Sequence, residues 1–488
     1  MDENLAADPK RWKALAVLSI AYLMVVLDVS IVNVALPSIQ HDLGFSTEGL
    51  QWVVSGYALT FGGFLLLGGR TGDLIGRRRL FLVGLAAFAL FSLLCGLATS
   101  PGMLIAFRLA QGAAGAILSP SVFSIVSVTF AEGSERNKAL GILGAIAGAG
   151  AAIGVLAGGV LTEYAGWEWI FFVNVPIGIA TFFLVPLVVR ESRAEGMMRH
   201  FDVAGAVTVT ASLMLLVFGL TESTSKGWSA FETIGPLVGS AVLMLAFLTI
   251  EQRSRSPLLP LSFFRKRTPT GANIIGFGLG TMIFGMFFLL SLYMQQVLGF
   301  SALRTGVGYL AVALTAVVSA GVSQALVTRV GVKPILTIGL SLIGIGLVFF
   351  TFVSVDGSYV GDLLPGFLLI GVGMGFSFVP IAIAALGGIE PAEAGLASGL
   401  INTSQQIGGA VGLAILTTIA TTHTTNALSE GVGRLQALTD GFTLAFWVAA
   451  AFALVSVVAT LLLLRRDDLT VPDASTAEPL AEPETAPA

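Results

Sequence analysis

Apolar residues fall along this chain in long unbroken runs, separated by charged residues, prolines or glycine-containing turns. A run of about 20 apolar residues can cross the hydrocarbon core of a bilayer as a helix. Strands of an outer-membrane barrel would instead alternate with a period of two. The runs predict 14 transmembrane helices, at about 13–37, 49–69, 79–99, 102–123, 138–162, 168–189, 203–222, 231–250, 270–295, 303–327, 334–353, 361–386, 401–422 and 440–464.

The composition agrees with an all-α, polytopic membrane protein. Of the 488 residues, 55% are hydrophobic and 11% are charged, whereas a soluble protein carries about 25% charged residues. A net charge of −4 argues against nucleic-acid binding. The single Cys95 cannot form an intrachain disulfide, and the three histidines lie far apart, so we expect neither a disulfide framework nor a metal site.

The distribution of Lys and Arg predicts the orientation. If the N-terminus is cytoplasmic, 21 of the 25 basic residues fall on the cytoplasmic side and 3 fall outside, with Arg108 inside a span. Such a bias is the usual signal of cytoplasmic loops. It predicts an even number of spans, with both termini in the cytoplasm.

The two halves of the chain resemble each other. Aligning Gly76 of the loop between spans 2 and 3 with Gly331 of the loop between spans 10 and 11 puts Arg78 opposite Lys333. A second match pairs the end of span 4 with the end of span 12, although chance similarity among glycine-rich helices is the alternative. Repeats of this kind are typical of transporters, whose substrate site lies between the halves.

The repeat and the spans together predict the domain boundaries. Two six-helix bundles are joined by two extra linking helices at about 203–222 and 231–250, and the chain ends in a Pro-, Ala- and Glu-rich segment that we expect to be disordered. The predicted parts are a cytoplasmic N-terminus at 1–12, the first bundle at 13–189, the linking region at 190–269, the second bundle at 270–464 and a cytoplasmic tail at 465–488.

Asp28 and Arg108 are charged residues inside predicted spans. A carboxylate at membrane depth costs at least about 2.5–3.5 kcal/mol, so it must be paired, hydrated or protonated. Counting from Pro37 and Pro101 at about 1.5 Å per residue puts both charges at a similar depth, with Gln111 one helical turn beyond Arg108. A carboxyl group whose surroundings alternate can bind and release a proton; the alternative is a fixed ion pair that only holds helices together.

The loop between spans 2 and 3 holds Gly69, Asp73, Gly76, Arg77 and Arg78 in sequence. These residues predict a charged latch that pairs with neighbouring helix ends in one conformation and releases them in another. The simpler interpretation is that the arginines only fix the topology.

Two further groups of residues are candidates for packing and for substrate contact. Span 5 carries Gly150, Gly154, Gly158 and Gly159, and four-residue glycine spacing lets another helix approach closely. Polar or aromatic residues inside spans could line a cavity, although tying helices together or facing lipid are the alternatives. These candidates are Asn33, Gln111, Asn273, Phe284, Phe288, Tyr293, Gln324, Asn402 and Gln405.

Four segments resemble signatures of the major facilitator superfamily, and within it the 14-span drug:proton antiporters of the EmrB/QacA type. They are Leu27 to Pro37, Gly69 to Arg79, Arg108 to Gly112 and Trp167 to Gly178. The resemblance covers nearly the whole chain. It implies alternating access between two bundles in the plasma or inner membrane, with proton entry exchanged for outward movement of a drug.

On that resemblance Asp28 is the proton carrier and Arg108 is its partner. Three positions depart from the family pattern. Val155 follows Gly154 where the antiporter signature of span 5 has a proline, Leu74 replaces a basic residue, and spans 10 and 13 carry no acidic residue. The missing proline weakens the inference of antiport over symport, and the missing acids weaken the expectation of dicationic substrates.

These observations favour a proton-coupled exporter of drugs or other amphiphilic molecules. A transporter of one metabolite or one self-made antibiotic shares the same motifs and stays open, and a non-transporting receptor or scaffold is a third hypothesis. We expect no enzyme activity and no cofactor, since no Walker A phosphate loop or nucleophile–base pair is visible and a proton gradient can supply the energy. The expected partners are the substrate, protons and the bilayer, without nucleic acid, and the expected state is a monomer.

Overall fold

The structure is a computed structural model that describes residues 10–130, 134–192, 202–254, 257, 263, 265–387, 389 and 394–465. These ranges form α-helices joined by short turns. The helices are α1 Arg11–Leu43, α2 Thr47–Ile75, α3 Arg77–Gly96, α4 Pro101–Thr129, α5 Ser134–Tyr164, α6 Trp169–Phe172, α7 Asn174–Val188, α8 Val203–Lys226, α9 Phe231–Arg253, α10 Arg267–Leu292, α11 Ala302–Val330, α12 Val332–Phe349, α13 Leu364–Leu386, α14 Ala394–Ser429 and α15 Arg434–Leu463. Short π-helical segments at Tyr293–Val297 and Tyr359–Leu363 extend α10 and α13.

Twelve helices within the described ranges are long and apolar enough to cross a membrane, with α6 and α7 together forming one of them at Trp169–Val188. The prediction of an all-α, multi-pass membrane protein is therefore confirmed, but the predicted number of 14 is not. The other two predicted spans correspond to α2 and α5, helices of 29 and 31 residues. Within the described residues of α5, Ala152–Tyr164 is an apolar helical segment too short to cross the membrane alone.

Prolines are poor markers of the helix ends in this chain. Pro37, the last residue of predicted span 1, does not end its helix, because α1 continues through it to Leu43. Pro120 and Pro380 likewise lie inside α4 and α13. A proline removes one backbone hydrogen bond, and neighbouring helices in a bundle can compensate for that loss.

The predicted internal repeat appears as equivalent packing in the two bundles. In the first bundle α4 packs against α2 and α3, and α1 packs against α5 and α7. In the second, α13 packs against α11 and α12, and α10 packs against α14 and α15. The aligned glycines fit this scheme, because Gly115 of α4 lies against Phe61 of α2 while Gly375 of α13 lies against Ser319 of α11.

The turns before α3 and α12 also match. Each helix begins after a glycine with a positive φ, 117° at Gly76 and 92° at Gly331. Residues other than glycine rarely adopt this backbone conformation, which explains why both halves of the chain have glycine there.

The aligned basic residues Arg78 and Lys333 make the same kind of contact in the two bundles, a hydrogen bond to backbone carbonyls near a helix end. Arg78 Nη1 donates to the Val189 carbonyl just beyond α7, at 3.2 Å. Lys333 Nζ donates to the carbonyls of Leu461 and Leu464 at the end of α15, at 2.7 and 3.0 Å. Cations stabilise the unsatisfied carbonyls at helix C-termini, so this contact holds the last helix of each bundle against the third.

The two bundles meet through α2 with α14, α5 with α11 and α1 with α10. At the ends that the charge bias assigns to the outside, Gln295 Nε2 donates to the Val34 carbonyl at 2.9 Å and Gln296 Nε2 donates to Gln40 Oε1 at 2.7 Å. Helices α8 and α9 pack against each other, and α8 lies against both α2 and α14. The linking helices therefore border the junction between the bundles.

Candidate functional site: a buried ion pair in the first bundle

The Asp28 carboxylate and the Arg108 guanidinium form an ion pair between α1 and α4. Arg108 Nη1 lies 2.5 Å from Asp28 Oδ2, and both residues are at most 1% exposed. The residue count along the two helices predicts similar heights for Asp28 and Arg108, and the structure shows that their side chains are in contact. Their side chains face each other because α1 packs against α4 within the first bundle.

Two amide side chains satisfy the second carboxylate oxygen. Gln111 Nε2 donates to Asp28 Oδ1 at 2.8 Å, and Asn174 Nδ2 donates to the same atom at 3.2 Å. Asn174 Nδ2 also lies 3.0 Å from Ser92 Oγ, which donates to the Phe171 carbonyl at 2.9 Å. The carboxylate therefore has polar contacts with α4 and α7, and the chain of contacts extends to α3.

Arg108 is held by more than its partner carboxylate. Its Nε donates to the Val53 carbonyl at 2.9 Å, and its Nη1 donates to Gln111 Oε1 at 2.8 Å. The guanidinium carbon lies 4.3 Å from the centre of the Tyr57 ring, a distance at which the ring face attracts a cation. These contacts hold the guanidinium against α2 and α4 independently of Asp28.

The cluster is close to neutral while Asp28 is ionised. Protonation of Asp28 would leave the Arg108 cation buried without its counter-ion, and breaking a buried pair costs about 3–5 kcal/mol. A proton on this carboxylate therefore favours any rearrangement that brings water or another anion to Arg108. This coupling of charge to conformation is the chemistry that the site can perform.

Three members of the cluster were not among the site residues predicted from the sequence: Ser92, Asn174 and Tyr57. Asn174 follows the break between α6 and α7 at Val173, and it is 1% exposed. The available signal was an asparagine in an apolar span two residues before Pro176. Ser92 and Tyr57 carry no comparable signal, because small hydroxyl and aromatic residues are frequent in membrane helices.

The predicted latch residues contact their own bundle. Arg77 Nε donates to Ser124 Oγ of α4 at 2.7 Å. The Glu191 carboxylate accepts the backbone N–H groups of Arg78 and Arg79 at 3.1 and 3.2 Å. Glu191 therefore caps the first turn of α3, a role that the sequence did not reveal.

Gly69 and Asp73 lie near the end of α2, and their side-chain surroundings fall outside the described part of the structure. The contacts of Arg77 and Arg78 link α3 to α4 and to the segment after α7. They stabilise the bundle, and release of the latch during a conformational change stays a prediction.

The predicted cavity residues separate into two groups by burial. Phe288 and Tyr293 are fully buried in the second bundle, where Tyr293 Oη donates to the Ser354 carbonyl at 2.7 Å. Asn273 Oδ1 accepts from Ser404 Oγ at 2.8 Å and thereby ties α10 to α14. These three side chains serve packing in the structure.

The remaining cavity candidates are less enclosed or lie near the bundle junction. Asn33 is 8% exposed and donates to the Val29 carbonyl of its own helix, while Gln324 and Asn402 are exposed. Phe284 lies against Gly409, and Gln405 lies against the positions of Gly276 and Gly280. Gln111 is the one candidate of this set that joins the ion-pair cluster within the described residues.

The glycines of α5 do bring helices close together. A Cβ at Gly150 would lie 2.8 Å from Val26 Cγ1, and one at Gly158 would lie 2.7 Å from the Ile31 carbonyl. Gly154 lies against Ser30, so these three glycines all face α1. Gly159 faces the other bundle, since its Cβ would lie 2.9 Å from Leu303 Cα of α11.

Comparisons with known proteins agree with this architecture. A family model described as Major Facilitator Superfamily matches residues 18–413. The puromycin resistance protein pur8 of Streptomyces alboniger is 38% identical over 450 residues, covering 91% of this chain and 89% of the relative. The cephamycin export protein CmcT of Amycolatopsis lactamdurans is 40% identical over 420 residues, covering 86% of each chain.

The fold also matches solved structures. An autoinhibited peptide transporter of the POT family superposes with a TM-score of 0.67 at 14% identity, covering 93% of this chain and 97% of the other. At that identity the likeness concerns the fold alone.

Proposed function

This chain belongs to the major facilitator superfamily, and from that premise we propose that it is a proton-coupled exporter of amphiphilic small molecules. As a member of this family it is a multi-pass membrane transporter and not an enzyme. The proposal concerns the energy source, the direction and the cargo. We further propose a monomer in the plasma or inner membrane with both termini in the cytoplasm, as the charge bias predicts.

The single observation that carries proton coupling is the buried pair of Asp28 and Arg108. A fixed structural pair would only hold helices together, whereas a carboxyl group whose surroundings alternate as the bundles rearrange can bind and release a proton. Proton binding to Asp28 would favour one orientation of the bundles, and proton release would favour the other. The Arg108 contacts to Val53 and Tyr57 would hold the cation in place while Asp28 changes its charge.

The relatives support antibiotics as the cargo. Their names describe resistance to puromycin and export of cephamycin. Export of one self-made antibiotic or one metabolite is the second candidate, because these relatives are each named for a single compound. A receptor or scaffold without transport would leave the buried ion pair without a purpose beyond packing.

The test uses everted membrane vesicles that contain the full chain and are energised with a proton gradient. We expect a panel of lipophilic dyes and antibiotics to include at least one compound that wild type accumulates, and collapse of the gradient to stop its accumulation. Asp28→Asn keeps the shape of the side chain but cannot carry a proton, so proton-driven accumulation should fall at least about 100-fold, equivalent to about 2.7 kcal/mol.

Asp356→Asn, in an exposed turn, is the matched control and should transport like wild type. Equal proton-driven accumulation by Asp28→Asn and Asp356→Asn would remove Asp28 as the proton carrier. If well-folded wild type accumulates no compound of the panel, the single-substrate alternative is favoured and a metabolite screen follows.

We also propose that α2 and α5 cross the membrane, which makes this a 14-span member of the drug:proton antiporter branch. At about 1.5 Å per residue, helices of 29 and 31 residues exceed 40 Å, more than the roughly 30 Å hydrocarbon core. Each also packs along a helix that is long and apolar enough to cross a membrane: α2 packs along α4, and α5 packs along α1.

Single cysteines at the two ends of each helix test the 14-span topology. Cys95 is buried and can stay in place. In right-side-out vesicles, an impermeant maleimide should label Ser46→Cys and Tyr164→Cys, whereas Arg79→Cys and Lys138→Cys should react in everted vesicles. Labelling of both ends of α2, or both ends of α5, from one side would contradict the 14-span topology.

A further inference from the structure

A cleft of about 480 Å³ lies between α2, α4 and α8. Its walls include Glu48 and Trp52 of α2, Ile105 of α4, and Phe218 and Glu222 of α8. Glu48 is in the first turn of α2 and Glu222 is near the end of α8, so both carboxylates lie at the end of the bundle that the charge bias assigns to the outside. The volume falls within the usual range of small-molecule sites, about 300–1,000 Å³.

We propose that this cleft binds cationic amphiphiles. The two carboxylates are contributed by different helices, and both are partly buried. No described cationic side chain lines the cleft, and Lys226, one turn beyond Glu222, is exposed. The indole and phenyl rings of Trp52 and Phe218 offer an apolar surface, and an indole face also attracts cations. Apolar walls with acidic groups match a ligand that has a lipophilic body and one positive charge.

A buried polar group behind the wall supports a ligand site. Gln51 Nε2 donates to Oγ1 of Thr221, a residue of the cleft lining, at 2.6 Å. Gln51 is fully buried, and its Oε1 has no hydrogen-bond partner among the described residues. A buried carbonyl oxygen without a donor is costly. The cleft wall at Thr221 is therefore backed by a polar group that can still accept a hydrogen bond.

The position of the cleft connects it to the ion pair. Trp52 immediately precedes Val53, whose carbonyl accepts from Arg108 Nε. Ile105 lies three residues before Arg108, on the same face of α4. A bound cation would therefore contact α2 and α4 within one turn of the backbone that holds Arg108. The extra helix α8 supplies the third wall, which gives the linking helices a role in recognition.

Tetraphenylphosphonium and tetraphenylborate are suitable probes, because they have the same shape and opposite charge. The experiment measures their equilibrium binding to the purified full chain in a neutral maltoside detergent. We expect wild type to bind the phosphonium and the double variant Glu48→Gln/Glu222→Gln to bind it at least about tenfold more weakly. Binding of tetraphenylborate should not weaken in the double variant. Glu232→Gln, an exposed acid in the first turn of α9, is the matched control and should bind like wild type.

Equal phosphonium affinity of wild type and the double variant would overturn the proposal, as would an equal loss of phosphonium and borate binding. If the double variant misfolds on gel filtration, Trp52→Ala provides a second test and should also weaken phosphonium binding. Added phosphatidylethanolamine tests whether the natural ligand is a lipid. If it displaces the phosphonium from wild type, the cleft binds a lipid amine. If it does not displace the phosphonium, the ligand is a small molecule. Both outcomes support a cation site.

Assigning the bound cation as cargo rests on the proposed export function, but binding does not. Asp356→Asn, the control that should export like wild type, should retain the phosphonium binding that the double variant loses. If wild type binds phosphonium in this cleft and no compound is exported, the proposed function fails while the binding site stands. If export proceeds and the double variant binds phosphonium like wild type, the cleft proposal fails alone.

Discussion

Arg108→Leu is expected to lower the free energy of unfolding by about 3–5 kcal/mol and to abolish proton-driven export. The substitution leaves the Asp28 carboxylate fully buried without its cation, and removal of one partner of a buried pair carries this cost. Leucine is the natural choice, because Leu368 occupies the position equivalent to Arg108 in the second half. The measurement is thermal unfolding of the purified protein in detergent, combined with transport in everted vesicles.

The double variant Asp28→Asn/Arg108→Leu separates stability from function. With both charges gone, no buried ion remains uncompensated, and Gln111 and Asn174 can still donate to the new amide oxygen. We expect the double variant to regain most of the lost stability while export stays absent. Arg304→Leu removes an exposed cation and should change the free energy of unfolding by less than about 1 kcal/mol.

A double variant as unstable as Arg108→Leu would show that the charge of Asp28 is not the source of the instability. A double variant that exports at the wild-type rate would rule out both residues as the coupling site. Either result would return the pair to a packing role.

The sequence was sufficient to predict the all-α membrane fold, the repeat and the similar heights of the two charged residues. Long apolar runs specify helices whatever their neighbours are, and the cost of a charge in lipid makes Asp28 and Arg108 conspicuous. The repeat aligned Gly76 with Gly331, and both residues have positive φ in the structure. These inferences depend on local chemistry alone.

The sequence could not specify which side of an apolar helix faces its neighbours. Phe288 and Tyr293 were candidates for substrate contact, yet both are buried in the second bundle, because an entirely apolar helix gives no pattern that orients it. For the same reason Asn174 and Ser92 could not be assigned to Asp28. Their contacts depend on the rotation of α3 and α7, which only packing determines.

Gly159→Ala is expected to favour a state in which the two bundles separate at their outer ends. The added Cβ would lie 2.9 Å from Leu303 Cα and 3.0 Å from the Ala302 carbonyl. Both neighbours are backbone atoms of the other bundle, so the contact cannot be relieved by a side-chain rotation. Overpacking of this kind costs about 1–3 kcal/mol. This cost applies only while α5 and α11 are in contact.

The measurement uses Val34→Cys as a reporter at the contact between α1 and α10. Val34 is buried, and its carbonyl accepts from Gln295 of the other bundle. An impermeant maleimide should therefore reach the cysteine faster when the outer ends separate. We expect Gly159→Ala to raise the labelling rate about tenfold, which corresponds to about 1.4 kcal/mol, and to slow export because the outer ends must close again in every cycle.

The adjacent glycine provides the decisive control. A Cβ at Gly158 would lie 2.7 Å from the Ile31 carbonyl of α1, inside the same bundle, so Gly158→Ala strains both orientations equally. It should lower thermal stability without changing the labelling rate. Gly321→Ala, on α11 with nothing within 4 Å of its Cβ, should change neither. Equal labelling of the Gly159→Ala and Gly158→Ala variants would mean that the contact between α5 and α11 does not control opening, since the two substitutions differ only in the helix that the new methyl group meets.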